Sequence, residues 1–366
     1  MKLPFGLGVK FLFRLIAPGF VLSLGMYPLL AGFRDATGVS VQVEYIFVVN
    51  MLLTGWLIAL LDQPIYMLFE GRRFWPGWLW KSFYKLEEQR LAELIRIEKE
   101  NSRLSKSSNK LFETKLFTKR NLEAWVQIRE FPFDEQGEYH AAFPTRLGNL
   151  LTAYETYPTI RYGMDGVFYW YRIWQRLDKE VREELDTQQA VADSGIYLSF
   201  ALYANAVIWA FYSTPSIQQT AINQHLPVII RPWVLVPLCL ITGYTVYRLS
   251  LYAQAQYGEA FKSLFDNNER KIDVSAVVRR VADILFDYSI LNLDRRQQFR
   301  IAWRYLHNYR VKCTRQECAE RLPMSPEDFK EHYASSHKLQ KQKEEKDGSG
   351  QRDITPNHKQ KIQSHI

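Results

Sequence analysis

Four blocks of this chain are apolar at nearly every position, where a soluble domain would space its apolar residues at helical or strand period. Leu15–Phe33 reads LIAPGFVLSLGMYPLLAGF between Arg14 and Arg34. Tyr45–Leu61 reads YIFVVNMLLTGWLIALL between Glu44 and Asp62, and the uncharged QPIYMLF extends it. Gly195–Tyr212 reads GIYLSFALYANAVIWAFY, and Trp233–Tyr247 reads WVLVPLCLITGYTVY between Arg231 and Arg248. A membrane-crossing helix needs about 20 such residues. The pattern predicts an all-α integral membrane protein with four transmembrane helices in two hairpins and a helical cytoplasmic domain. The helices are expected at about 15–33, 45–65, 195–213 and 233–248. The first block is expected to stay as a helix, because it is longer than a signal h-region and shows no small-residue cleavage site. Pro18 and Pro28 are expected to kink it.

Short basic flanks set the orientation. Lys2, Lys10 and Arg14 precede the first block, Arg72, Arg73, Lys81 and Lys85 follow the second, and Arg248 and Lys262 follow the fourth. Both termini are therefore expected on the cytoplasmic side of the plasma (inner) membrane. The third block is the weak point, since Asp186 and Asp193 are its nearest charges. The chain divides into a first hairpin (1–70), a cytoplasmic helical region (71–193), a second hairpin (194–248), C-terminal cytoplasmic helices (249–335) and a polar tail (336–366) expected to be disordered.

Trp78 to Phe131 holds no proline or glycine, so long helix is expected there, interrupted by the polar NSRLSKSSNK from Asn101. The stretch Pro144–Trp174 follows. Thr145 is expected to cap a helix RLGNLLTAYETY that Pro158 ends. Gly163 suits a turn, and Asp165 is expected to cap a second helix, VFYWYRIWQRLDKEVREEL. Arg146, Glu155, Arg161 and Asp165, with Asn149 nearby, form the candidate structural corner or ligand site. Two cations and two anions near one turn can lock it through charge-assisted hydrogen bonds. Catalysis there would need a nucleophile or a tuned acid–base pair; Glu155 and Asp165 could serve, but no metal-type histidine spacing and no phosphate-cradling glycine loop accompanies them.

The strings PGFVLSLGMYPLL, LLDQPIYMLFEGRRFWP and PTRLGNLL…YPTIRYGMDGVFYW resemble those of a family of uncharacterised prokaryotic multi-pass membrane proteins, over about residues 10 to 175. The resemblance implies membrane location and no activity.

Ile272 to Leu291 has an amphipathic pattern, and Asp294 is expected to start another helix, RRQQFRIAWRYLHNYRVK. Arg72, Arg73, Arg295, Arg296, Arg300 and Arg304 are the basic candidates for a lipid-facing surface. Basic and aromatic residues together could also bind nucleic acid, but in a tethered protein lipid or the chain's own acidic helices are nearer. Cys313, Cys318, His332 and His337 fit a loose zinc-finger spacing without the expected strands around the cysteines. TRQECAERLPMSPEDFKEHYASS resembles a helix-turn-helix, yet Glu327 and Asp328 would face phosphate.

Composition changes this picture little. The formal charge of +8 fits anionic lipid, and three cysteines are too few for a disulfide framework. No cofactor and no bound metal is expected. The polar residues inside the blocks are Asn50, Thr54, Asn205, Thr242 and Thr245, with no ionisable residue, which argues against a proton- or ion-coupled transporter. They suit hydrogen bonding between helices or, in an oligomer, a pore. The expected function is a non-enzymatic membrane-anchored scaffold or sensor acting through its cytoplasmic helices. The alternative is an oligomeric ion channel or pore. An interfacial enzyme acting on lipid would need Glu155 and Asp165 at the head groups. The expected partners are the lipid bilayer, a second copy of the chain and a cytoplasmic protein. Nucleic acid is not expected.

Overall fold

The computed structural model describes residues 11–38, 40–106, 119–214 and 232–313. These residues are all-helical, with no strand among them and one isolated antiparallel bridge between Phe133 and Tyr139. A π-helical turn, Leu12–Ile16, leads into α1 (Ala17–Thr37). Then follow α2 (Val43–Leu60), α3 (Asp62–Glu70), α4 (Gly77–Lys106), α5 (Lys119–Ile128), α6 (Arg146–Tyr162) and α7 (Gly166–Trp174). Two long helices come next, α8 (Lys179–Tyr212) and α9 (Pro232–Asn268). The last helices are α10 (Ser275–Leu285) and α11 (Arg295–Cys313). Four of these elements are long and apolar enough to cross a membrane: Leu12–Thr37, Val43–Leu60, Lys179–Tyr212 and Trp233–Lys271.

The chain forms two compact units. One holds residues 1–160 and 166–270, and the other holds 161–165 and 271–366. In the first unit α8 packs along α9, α1 along α2, and α8 against α1. Glycine permits a close crossing of α1 with α2. A methyl group on Gly19 would stand 2.2 Å from the Met51 carbonyl oxygen, and one on Gly55 would stand 2.2 Å from that of Leu15. Small residues at such crossings bring backbones together, where dispersion and polar contacts hold apolar helices. Beyond the apolar lengths, Leu91 and Leu94 of α4 pack with Ala124 and Ile128 of α5, and with Phe131 and Ala141. In the second unit Val278, Val281 and Ala282 of α10 are buried, as are Phe299 and Ala302 of α11.

Three boundaries differ from expectation. The second apolar block does not continue through QPIYMLF. It breaks at Leu61, and α3 is a separate helix. Pro64 has no N–H to give the Leu60 carbonyl, and its ring crowds that oxygen, so the break falls one turn before it. Pro158 does not end α6, which runs on to Tyr162. The lost bond there is offset by packing of the preceding turn. The Tyr154 ring meets those of Tyr257 and Phe261, and the Tyr157 hydroxyl donates to Asp266 at 2.9 Å. Gly163, at φ +71°, supplies the left-handed stop. The helix expected from Val167 to Leu185 is two helices, α7 and α8, separated at residues 175–178.

Candidate functional site

The site begins with a pattern that occurs twice, DQPIY at Asp62–Tyr66 and DSGIY at Asp193–Tyr197. In each, an aspartate and a tyrosine lie one helical turn apart and so share a face. One pattern opens α3 and the other lies in α8. The two exchange hydrogen bonds reciprocally. The Tyr66 hydroxyl donates to Asp193, and the Tyr197 hydroxyl donates to Asp62 at 2.6 Å. The two rings meet edge to face, with centroids 6.3 Å apart.

Two further helices close on this pair. The Arg14 guanidinium forms an ion pair with Asp193. Arg14 belongs to the π-helical turn that opens the chain's first long helix, and such turns recur at functional positions. From α9, the Gln254 side-chain amide donates to the Tyr66 hydroxyl at 2.7 Å and approaches Asp193 at 3.5 Å. Asp193 and Gln254 are buried, at 6% and 1% exposure. A buried carboxylate is stable only when paired and hydrogen-bonded, and this one draws its partners from three separate elements. The arrangement is a polar lock where four elements converge. In sequence, Arg14 and Asp193 read as flanking charges outside the apolar blocks. Only their pairing across 179 positions gives them a role.

The residues of the expected corner are divided among different partners, and Arg146 sits in a corner network of its own. Arg146 pairs with an acid outside the expected set, Glu130. Its guanidinium grips the Glu130 carboxylate with both ends, Nε donating at 2.6 Å. Arg90 donates to the same carboxylate at 2.9 Å and to Glu87 at 3.0 Å, and Asn149 donates to Glu87 at 3.2 Å. Two guanidiniums and two carboxylates thus balance. The ion pair holds the Arg146 pKa above the ordinary value despite burial, which by itself lowers it. Asn149 also accepts from the backbone N–H groups of Ala142 (2.8 Å) and Phe143 (2.9 Å) and donates to the Phe143 carbonyl at 3.0 Å. Thr145 caps α6 as expected, accepting from Gly148 N–H at 3.0 Å. Glu155 instead lies 3.6 Å from Arg72, which also pairs with Glu70. Burial, together with the nearby Glu155 charge, pushes the Glu70 carboxyl up to about 7, even though Arg72 lowers it. Arg161 and Asp165 belong to the second compact unit.

The polar residues of the apolar blocks divide. Asn50 donates to Ser23 at 2.7 Å, Thr54 approaches the Gly19 carbonyl at 3.2 Å, and Asn205 donates to the Val21 carbonyl at 2.6 Å. These three join helices. Thr242 is exposed, and Thr245 bonds back to Ile241 of its own helix at 2.9 Å. Among the basic candidates, Arg72 is engaged as described and also lies over the Phe143 ring, while Arg73 is exposed. Arg295 donates to the Ile272 carbonyl at 3.1 Å and lies over Phe299. Arg296 backs the turn at Gly163, and Arg300 and Arg304 lie on α11. Cys313 is the last described residue of α11. Cys318, His332, His337, the helix-turn-helix string and the tail lie outside the described residues.

Comparison with protein-family models, curated proteins and solved structures finds no match for this chain, so its function is read from geometry alone.

Proposed function

We propose that this is a non-enzymatic integral protein of the plasma (inner) membrane, a scaffold or sensor that works through its cytoplasmic helices. In this reading the four long apolar helices cross the bilayer as two hairpins, and both termini are cytoplasmic. The observation that carries the reading is the continuity of α8 and α9 through the polar lock. Each helix runs without a break from its apolar length, past Asp193 or Gln254, into the polar part of the chain. A change in bundle packing would therefore move rigid rods that end outside the bilayer. The exposed face of α2, with Val48, Leu52, Trp56 and Leu60 one turn apart, suits acyl chains or a second copy of the chain.

The channel reading is the alternative, and the placement of polar groups weighs against it. Asn50, Thr54 and Asn205 are spent on bonds between helices of one subunit. The test compares hydrogen exchange of the liposome-reconstituted protein and of Asp193→Asn. Faster exchange in α4, α5 and α6 is expected. A change confined to the apolar lengths would defeat the sensor reading. Ion flux through the same liposomes above the protein-free background would put the channel in its place.

A further inference from the structure

Among the described residues, a trough of about 750 Å3 lies between α8, α9 and the segment that joins α3 to α4. Its size falls within the range of about 300–1,000 Å3 typical of small-molecule sites. Its walls are aromatic. Phe69 stacks on Tyr203, with centroids 6.1 Å apart, and meets Tyr247 at 5.7 Å. Trp75 meets Phe83 edge to face at 5.4 Å, and its indole N–H donates to the Leu68 carbonyl at 2.8 Å. Phe74 also lines the trough. It is 71% exposed and held at φ +67°, a conformation that costs a bulky residue energy.

The trough has two chemically different ends. At one, Val207 and Tyr244 are exposed on the apolar lengths of α8 and α9. At the other stand Arg146, Arg248 and Glu87. Arg146 and Glu87 are committed to the corner network. No ion pair or hydrogen bond engages Arg248 among the described residues. From Tyr244 to Leu251 the α9 wall spans about 10 Å, at a rise of about 1.5 Å per residue. The cavity thus combines an apolar slot, open along the proposed bilayer-facing lengths, with a free guanidinium where those lengths end.

We infer that this trough binds an anionic phospholipid of the cytoplasmic leaflet, with an acyl chain along the aromatic wall and the head-group phosphate at Arg248. The inference rests on the membrane reading above. A neutral apolar helix would leave Arg248 without a partner, and a soluble anion would leave the aromatic wall exposed. A lipid satisfies both ends.

The test uses full-length protein, stripped of lipid in detergent and titrated by native mass spectrometry with dioleoyl phosphatidylglycerol, dioleoyl phosphatidylcholine and glycerol phosphate. Phosphatidylglycerol is expected to bind about fivefold tighter than phosphatidylcholine, the gain of one basic side chain near a head group. Arg248→Gln should bring the two within twofold of each other. Val207→Trp, at a 71% exposed position, should weaken both at least fivefold without changing the melting temperature. Unaltered phosphatidylglycerol binding by both variants would overturn the site, as would glycerol phosphate binding as tightly as the lipid. Flotation with liposomes separates the two levels. A chain that stays soluble without detergent and does not float sinks the membrane reading and the site together. A chain that floats while its variants bind lipid unchanged sinks the site alone.

Discussion

The polar lock and the corner network solve the same problem in opposite ways. Each buries a carboxylate, Asp193 at 6% exposure and Glu130 at 7%. Glu130 sits in a balanced set, two cations against two anions, all from one neighbourhood of α4, α6 and the segment before α6. Asp193 has one cation, Arg14, and takes its other bonds from neutral side chains on α3 and α9. The corner fastens a local fold. The lock fastens helices that are otherwise joined by apolar packing and a few isolated hydrogen bonds, such as those of Asn50 and Asn205. The difference teaches where cooperativity should lie: losing Glu130 should loosen one region, and losing Asp193 should loosen the whole bundle.

The largest effect is expected from Asp193→Ala, which removes the buried carboxylate that Tyr66 donates to and leaves the half-buried Arg14 without its anion. A loss of about 3–5 kcal/mol is expected, read as a lowered melting temperature in detergent. The double variant Arg14→Met/Asp193→Leu should regain most of it, because the penalty is an uncompensated charge. If the double variant were as unstable as the single one, the lock would owe its role to the Tyr66 and Gln254 bonds instead. Glu130→Ala should cost less, about 2–3 kcal/mol, since Arg90 keeps Glu87 as its partner and the other bonds of this network stay within one neighbourhood. Hydrogen exchange sharpens the contrast: α4, α5 and the start of α6 should lose protection while α8 and α9 keep theirs. Equal loss in both regions would erase the distinction drawn here.

The smallest effect concerns Glu70, whose carboxyl is raised from 4.5 to about 7. The folded protein holds this proton more tightly than the unfolded chain does. Glu70's contribution is therefore fully present below about pH 4.5 and is lost as pH rises through about 7. Allowing for solvent screening, the change is about 1–2 kcal/mol. Glu70→Gln should flatten the melting temperature between pH 5 and 8 and raise it at the upper end. An unchanged pH profile would mean that Arg72 alone sets the charge state of this carboxylate.

Much of the helical framework was legible in the sequence, because uniform apolar blocks between charges need no partner to be recognised. Local chemistry was legible too, as at Thr145, Gly163 and Asp294, whose carboxylate accepts from Gln297 N–H at 2.9 Å. What failed was pairing at a distance. Arg146 was matched to acids on its own corner, while its partner lies 16 positions upstream, and Arg90 lies 40 positions before Glu130. Proline was misread in both directions. Pro64 breaks a helix that looked continuous, and Pro158 sits inside one that looked finished, because neighbouring packing decides whether the missing bond matters. The repeated D-x-x-I-Y string went unread, because nothing in one dimension says that its two copies face each other.

That repeat also makes the molecule its own controlled experiment on local dielectric. The same phenol–carboxylate bond occurs twice within one bundle, once to the buried Asp193 and once to Asp62, whose residue is exposed. Tyr66→Phe and Tyr197→Phe delete the same hydroxyl from the same pattern. Measured in a Gln254→Leu background, which removes the bond that Tyr66 alone accepts, the difference between their stability losses would then report how much a polarisable, water-poor setting beside Arg14 adds to a phenol–carboxylate hydrogen bond.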